Sequence, residues 1–154
     1  LAAVMPLAGT FSGGALAATA NGTANATVLT PIAIAAGTAL NFGTLSANAS
    51  GGTVVLTSAG ARSVTGSVIV TAAAFSVGTF TVTGTGSSTF AVTYPGSFNV
   101  TSGANTLGVV VSGAATGTLA GGTVSLPVGG TLTVGANQLA GSYTGSSTMT
   151  VVYN

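Results

Sequence analysis

The side chains that could take part in chemistry are few: one arginine (Arg62), three tyrosines and many serine and threonine hydroxyls. The 154 residues include no Asp, Glu, His or Cys, and Arg62 is the one basic residue. General acid–base catalysis draws on carboxylate, imidazole, amine or thiol groups, and a hydroxyl nucleophile needs such a base. The usual side-chain ligands of metal ions are missing for the same reason. We therefore predict that the protein is not an enzyme and uses no cofactor.

The low charge also limits the partners. The formal net charge is +1. Binding to a phosphate backbone requires several cations, so we expect no nucleic-acid partner. A net charge near zero favours self-association, so copies of the same chain are the expected partner.

The most informative spacing lies in the closing segment, residues 141–154. Its alternation of larger and smaller side chains predicts a β-strand with one buried face. With no later hairpin partner in this sequence, one strand edge must be covered by an earlier segment, by another molecule or by nothing. The predicted buried face consists of Tyr143, Gly145, Ser147, Met149, Val151 and Tyr153.

A second alternating stretch opens the chain. Residues 1–18 resemble the end of a signal peptide in composition, but Pro6 and three glycines break the stretch, which is too short for a membrane-spanning helix. Its period of two favours an extended strand, which could also fold back as the first strand of its own domain. Residues 19–27 are small and polar, as in a linker. One face of the predicted strand carries Leu1, Ala3, Met5, Leu7, Gly9 and Phe11.

The remaining residues, 28–154, read as one all-β domain. Val- and Thr-rich runs are interrupted by turn signals about every 8–12 residues, which is typical of a β-sandwich. Before the closing segment, strands are predicted at 28–34, 40–45, 53–57, 64–71, 77–84, 88–94, 97–101, 106–112, 123–128 and 131–134.

Two other features have ordinary explanations. Thr-x-Thr pairs at 79–85 and 131–133 could suggest an ice-binding face, but no fixed repeat length accompanies them, so solvent-facing strands explain them better. Arg62 lies in a predicted turn, where it could pair with a backbone carbonyl or a partner subunit, but we expect a solvated side chain.

The sequence resembles two protein families. Gly141 is the fourteenth residue from the end and Tyr153 the penultimate one, a pattern similar to the C-terminus of chaperone–usher pilins and spore-coat-U-like secreted domains. The stretches A-T-V-L-T-P-I-A-I at 26–34, L-N-F-G-T-L at 40–45 and G-S-Y-T-G at 141–145 resemble more closely a bacterial secreted family, domain of unknown function 4402.

The pilin resemblance implies an immunoglobulin-like sandwich that lacks one strand, which the N-terminal extension of a neighbouring subunit supplies. Residues 1–18 would be the donor strand, with Gly9 on its inserting face. The expected product is an extracellular filament on the cell surface, secreted via the periplasm and used in adhesion or biofilm formation. Whether a periplasmic chaperone and an outer-membrane usher assemble it stays open. The implied acceptor groove consists of Val28, Ile32, Ile34, Gly141, Tyr143, Met149, Val151 and Tyr153.

A second hypothesis is a monomeric, self-complemented binding module for carbohydrate or a surface. It predicts a concave cluster of exposed aromatic rings that includes Tyr94, Tyr143 or phenylalanines. The absence of Trp counts against sugar stacking.

Overall fold

The structure is a computed structural model that describes Gly14 and residues 17–154. This part of the chain is all-β, as predicted, and none of its segments is a helix that could cross a membrane. The strands are β1 (Ala33–Ala36), β2 (Leu45–Ser46), β3 (Gly52–Leu56), β4 (Arg62–Gly66), β5 (Ile69–Val70), β6 (Gly78–Thr83), β7 (Thr89–Thr93), β8 (Phe98–Ser102), β9 (Asn105–Gly113), β10 (Thr116–Thr118), β11 (Thr123–Val134) and β12 (Thr150–Tyr153).

The largest sheet has seven strands and is organised around β11. The first half of β11 pairs with β6, its second half pairs with β3, and residues 128–133 pair with β9, all antiparallel. Strand β1 extends the sheet beyond β6, β4 extends it beyond β3, and β8 extends it beyond β9. β11 can pass continuously through these neighbours because Gly129 has no side chain: a Cβ there would collide with the backbone of Leu56 and Thr57.

A three-stranded sheet, in the order β10-β7-β12, lies against one part of the large sheet. Its central strand contributes Phe90, which is completely buried. Gly117 on β10 leaves space for this ring, since a Cβ at that position would lie 2.5 Å from Phe90 Cζ. A short two-stranded sheet, β2-β5, completes the fold.

Apolar side chains between these layers form two buried clusters. The first joins β6, β11, β7 and β12, and its members are Val82, Phe90, Val92, Val111, Leu119, Leu126, Val128, Met149 and Val151. The second lies between β3, β9 and the far half of β11, and its members are Val54, Val68, Leu107, Val109, Leu132 and Val134. The cores depend on alternation along each strand, as in Leu107, Val109 and Val111 of β9.

Several predicted boundaries were wrong. The first strand begins at Ala33 and not at residue 28, because Pro31 has no N–H to donate and the amide of Thr30 bonds to a side chain. Residues 123–134 form one strand although Gly129 and Gly130 read as a turn. β10 was missed inside a Gly-rich stretch, and residues 64–71 contribute to two strands.

The closing segment differs from its prediction in a more informative way. Near the end of the segment the side chains alternate as expected, since Met149 and Val151 are buried while Thr150 and Val152 are exposed. Gly145, which was predicted on the buried face, is exposed. Ladder pairing, however, begins only at Thr150. The side-chain pattern of a strand thus extends further than the pairing of its backbone.

Candidate functional site

An open groove of about 1300 Å³ lies between two segments of the chain. Residues 36–47 form one wall, and residues 138–147 together with Met149 form the other. The floor belongs to the large sheet and is apolar. It is lined by Phe80, Phe98, Val100, Leu107, Val109, Val111, Val128 and Leu132.

The first wall, residues 36–47, is attached to the fold along one edge. Asn41 and Ser76 exchange backbone hydrogen bonds of 2.8 and 2.9 Å. The Ser76 hydroxyl also donates to the Ala39 carbonyl at 2.9 Å, and the Thr71 amide donates to the Thr44 carbonyl at 3.0 Å. Leu40, Phe42 and Leu45 line the groove. The wall is therefore positioned by backbone contacts rather than by a complete strand ladder.

Arg62 supports this wall from behind. Its Nη1 donates to the Phe42 carbonyl at 3.1 Å, and its Nη2 donates to the Thr71 carbonyl at 2.7 Å. The guanidinium carbon lies 4.2 Å from the centre of the Phe75 ring, within the range of a cation–π interaction. Our prediction of a solvated turn residue was wrong, because three surrounding segments offer partners that sequence distance conceals.

The second wall is the closing segment, and its backbone is only partly paired. Thr144 exchanges two backbone hydrogen bonds with Thr101, of 2.8 and 3.0 Å. Among the described residues, 145–149 form neither a strand nor a backbone–backbone hydrogen bond outside strands. From Thr150 onward the chain pairs with β7, which leaves the other edge of β12 at the margin of its sheet.

Tyr143 fixes the open end of this wall. Its hydroxyl donates to the Leu139 carbonyl at 2.7 Å and accepts a hydrogen bond of 2.8 Å from Gln138 Nε2. Its ring packs against the second core cluster. Gly141 lies so close to Ser102 that a side chain there would displace the Ser102 hydroxyl. These contacts bend the loop before the closing segment toward β8.

The opposite end of the groove is closed. Ile32, Ile34 and Tyr153 pack against the first core cluster, which contains Met149 and Val151. The Tyr153 hydroxyl donates to the Thr30 carbonyl at 2.7 Å. We call this the closed end, and the Tyr143 side the open end.

The groove is electrically neutral, because every residue that lines it is uncharged. Tyr94 lies outside the groove, where its hydroxyl donates to the Ala114 carbonyl at 2.9 Å. Burial raises the pKa of Tyr94 above its ordinary value. The groove therefore offers apolar contact from its floor and uncharged hydrogen-bonding groups, from backbone and from hydroxyl and amide side chains, along its walls.

The eight predicted acceptor residues occupy different places. Gly141, Tyr143 and Met149 line the groove. Ile32, Ile34, Val151 and Tyr153 lie in or against the core at its closed end. Val28 is 93% exposed and stands apart. The predicted donor residues, Leu1, Ala3, Met5, Leu7, Gly9 and Phe11, lie outside the described residues.

Sequence reasoning missed the floor and most of the first wall. The alternation of Leu107, Val109 and Val111 marked a buried face without showing that the face is only partly covered. The motif at 40–45 was noted as a family resemblance, yet its position beside the closing segment depends on long-range contacts.

Comparison with known proteins identifies one family. The model of a family described as "Domain of unknown function (DUF4402)" matches residues 32–153, which is most of the chain and includes both groove walls. Neither the search of curated proteins nor the search of solved structures gives a match.

Proposed function

The chain belongs to the DUF4402 family, and we propose that it is a structural subunit of an extracellular filament whose copies are joined by donor-strand exchange. Residues 1–12 of one copy would occupy the groove of the next, antiparallel to the closing segment. Repeated head to tail, this contact produces an open filament and not a closed ring.

The partly unpaired closing segment beside an apolar floor carries the proposal. Residues 145–149 supply backbone groups without a ladder partner within the described chain, and β12 continues the same line with one edge that pairs with no other described strand. Such an edge favours the addition of an extended strand. The inserting strand must be uncharged and apolar on one face, because the groove is neutral.

The N-terminal extension has these properties. Leu1, Met5, Leu7 and Phe11 share one face by the period of two. Burial of each would contribute about 1.5–3 kcal/mol. Each new ladder hydrogen bond would add about 0.5–1.5 kcal/mol. Residues 17–29, which lie between the predicted donor face and β1, are exposed throughout, which leaves this part of the chain available to reach another copy.

Within this proposal, the two larger sheets are the halves of an immunoglobulin-like sandwich that lacks one strand. Extracellular location, assembly at the cell surface and a use in adhesion or biofilm formation follow from the same proposal. A periplasmic chaperone and an outer-membrane usher are compatible further partners, since an empty apolar groove would need protection before assembly.

The proposal is tested by electron microscopy and size-exclusion chromatography of the full chain and of a chain that begins at residue 17. The full chain should form filaments, and the shortened chain should remain monomeric. A peptide of residues 1–12 should bind the shortened chain and raise its Tm. Filaments formed by the shortened chain would refute the proposal.

A matched pair of variants distinguishes strand insertion from non-specific hydrophobic association. Leu7→Asn changes the inserting face and should abolish polymerisation, whereas Ala8→Asn changes the opposite face and should leave it intact. Equal effects of the two substitutions would contradict strand insertion. A structure in which the extension fills the groove of its own chain would instead support a self-complemented monomer.

A further inference from the structure

Three hydrogen bonds join the start of the domain to its last strand. The Tyr153 hydroxyl donates to the Thr30 carbonyl and accepts from the Thr85 amide, both at 2.7 Å. The Thr30 amide in turn donates to the Thr85 hydroxyl at 2.7 Å. Gly84 makes room for this arrangement, since a side chain there would overlap the Tyr153 hydroxyl. We refer to Thr30, Thr85 and Tyr153 as the latch.

The latch marks the point where the extension leaves the domain. Residues 17–29 are all exposed, and Val28 is 93% exposed. From Thr30 onward the chain is fixed, first by Tyr153 and Thr85 and then by the pairing of β1 with β6. The extension therefore departs from the closed end, beside Tyr153, and none of the three latch residues lines the groove.

This position matters because the extension of a chain competes with the extensions of other copies for the groove. A short flexible tether gives an effective concentration in the millimolar range, and the value falls toward zero when the tether cannot span the sites. If a subunit polymerises at concentrations below the millimolar range, insertion of its extension into its own groove must therefore be disfavoured. Fixing Thr30 removes only about three residues from the free tether, since β1 begins to pair at Ala33, so its main effect is on the direction in which the tether leaves the domain.

We propose, on the basis of the filament function above, that Tyr153 is a positioning residue that directs the extension to a second copy. Its hydroxyl holds the start of the extension away from the open end, so that insertion into another subunit is favoured over self-insertion. The Tyr153 ring packs against the first core cluster, whereas its hydroxyl bonds to Thr30 and Thr85. Only the hydroxyl bonds are assigned the positioning role.

The experiment uses the full chain, which has no native cysteine. Ser12→Cys and Ala140→Cys are introduced together, because Ala140 lines the open part of the groove. Ala2→Cys with Ala140→Cys captures a strand inserted in the opposite direction. Mixing isotopically light and heavy chains before oxidation lets mass spectrometry separate disulfides within one chain from disulfides between chains.

With Tyr153 intact, disulfides between chains should predominate. Tyr153→Phe retains the ring and removes both hydrogen bonds of the hydroxyl, which should lower the ratio of intermolecular to intramolecular disulfides by up to about tenfold. Tyr94→Phe is the matched control, since its hydroxyl bonds to Ala114 outside the groove, and should leave the ratio unchanged. Thr85→Ala, which removes the acceptor of the Thr30 amide, should act in the same direction and serves if Tyr153→Phe does not fold.

The outcomes separate the two proposals. An unchanged ratio in both latch variants would overturn the role of Tyr153 and leave donor-strand exchange standing. An unfolded chain would also form disulfides within one chain, so the ratio is compared only between variants whose thermal melts show that they are folded. If the background with native Tyr153 formed neither filaments nor intermolecular disulfides, both proposals would fall.

Discussion

β11 and the closing segment (residues 141–154) both alternate buried and exposed side chains, but their backbones are paired to very different extents. Between Gly130 and Thr133, β11 pairs with β3 and with β9 at every residue. Among the described strands, the closing segment pairs only from Thr150 to Tyr153, and only with β7. One segment is surrounded by neighbours, and the other is left beside a cavity.

The difference shows that burial of a face and pairing of an edge are separate requirements. A face is satisfied by apolar side chains packed from one direction. An edge needs a second backbone at the correct distance and register. The closing segment meets the first requirement and only part of the second, and this is what makes it a candidate acceptor.

The largest expected effect compares two side chains of the same core cluster. Leu126 of β11 is 5% exposed and lies away from the groove, and Leu126→Ala should lower the free energy of unfolding by about 2–5 kcal/mol. Met149→Ala should cost less, near the lower bound of about 2 kcal/mol, because Met149 already borders the cavity. Urea denaturation of the non-polymerised chain measures both. Equal losses would mean that the groove side of Met149 is packed as densely as the core.

Amide hydrogen exchange tests the edges directly. In the monomer, the amides of residues 145–149 should exchange quickly and those of β11 slowly. Filament formation should slow exchange at 145–149 by about a hundredfold, since new ladder bonds must open first. The β11 amides are already protected and serve as the internal control. Unchanged exchange at 145–149 in filaments would place the subunit contact elsewhere.

A third prediction concerns the wall opposite the closing segment. Arg62→Met removes both carbonyl hydrogen bonds and should lower stability by about 1–3 kcal/mol, the cost of leaving such groups unsatisfied. It should also weaken binding of the peptide of residues 1–12, because the wall at 40–45 loses its support. Arg62→Lys should restore little of the lost stability or peptide binding, since an ammonium lacks the planar fork that reaches two carbonyls. Calorimetry of unfolding and of peptide binding would show whether both fall together, and an unchanged peptide affinity would separate Arg62 from the groove.

The smallest expected effect is a pH dependence of stability, which arises from the burial of a side chain and not from the pairing of a strand edge. No side chain of this composition titrates between about pH 5 and pH 9, so stability should be flat there. Burial raises the folded-state pKa of Tyr94, so its contribution is present below the unfolded pKa of about 10 and is lost as pH rises through the folded value. Thermal melts from pH 8 to about pH 11 should show a small fall that Tyr94→Phe reduces. A fall that persists unchanged in Tyr94→Phe would assign it to another group.

Much of the fold could be predicted because its signals are local. Val and Thr alternation located β3, β6, β7 and β9 within a residue or two, and composition excluded helices. The errors arose where local signals mislead. Gly129 and Gly130 suggest a turn, but the missing side chain of Gly129 allows the close approach of β3, and that of Gly130 the close approach of Val110 on β9. Only the neighbours of a glycine decide between these two uses.

The candidate site was less predictable. Met149 and Tyr143 were assigned to the groove from their alternation, and they line it. Val28 belonged to the same predicted set and is exposed, because the strand begins after Pro31. The link between Tyr153 and Thr30 spans 123 residues of sequence and has no local signature.

The sequence by itself determined which side-chain types are present: one charge, no acid, imidazole or thiol, and many apolar and hydroxyl groups. It also determined which face of each strand is buried, because the period of two is a local property of extended backbone. The tertiary structure decided which edges are paired and which border the groove. Pairing depends on contacts between residues distant in sequence, such as Thr101 with Thr144 and Asn41 with Ser76, and within the described residues these contacts leave 145–149 without a ladder partner.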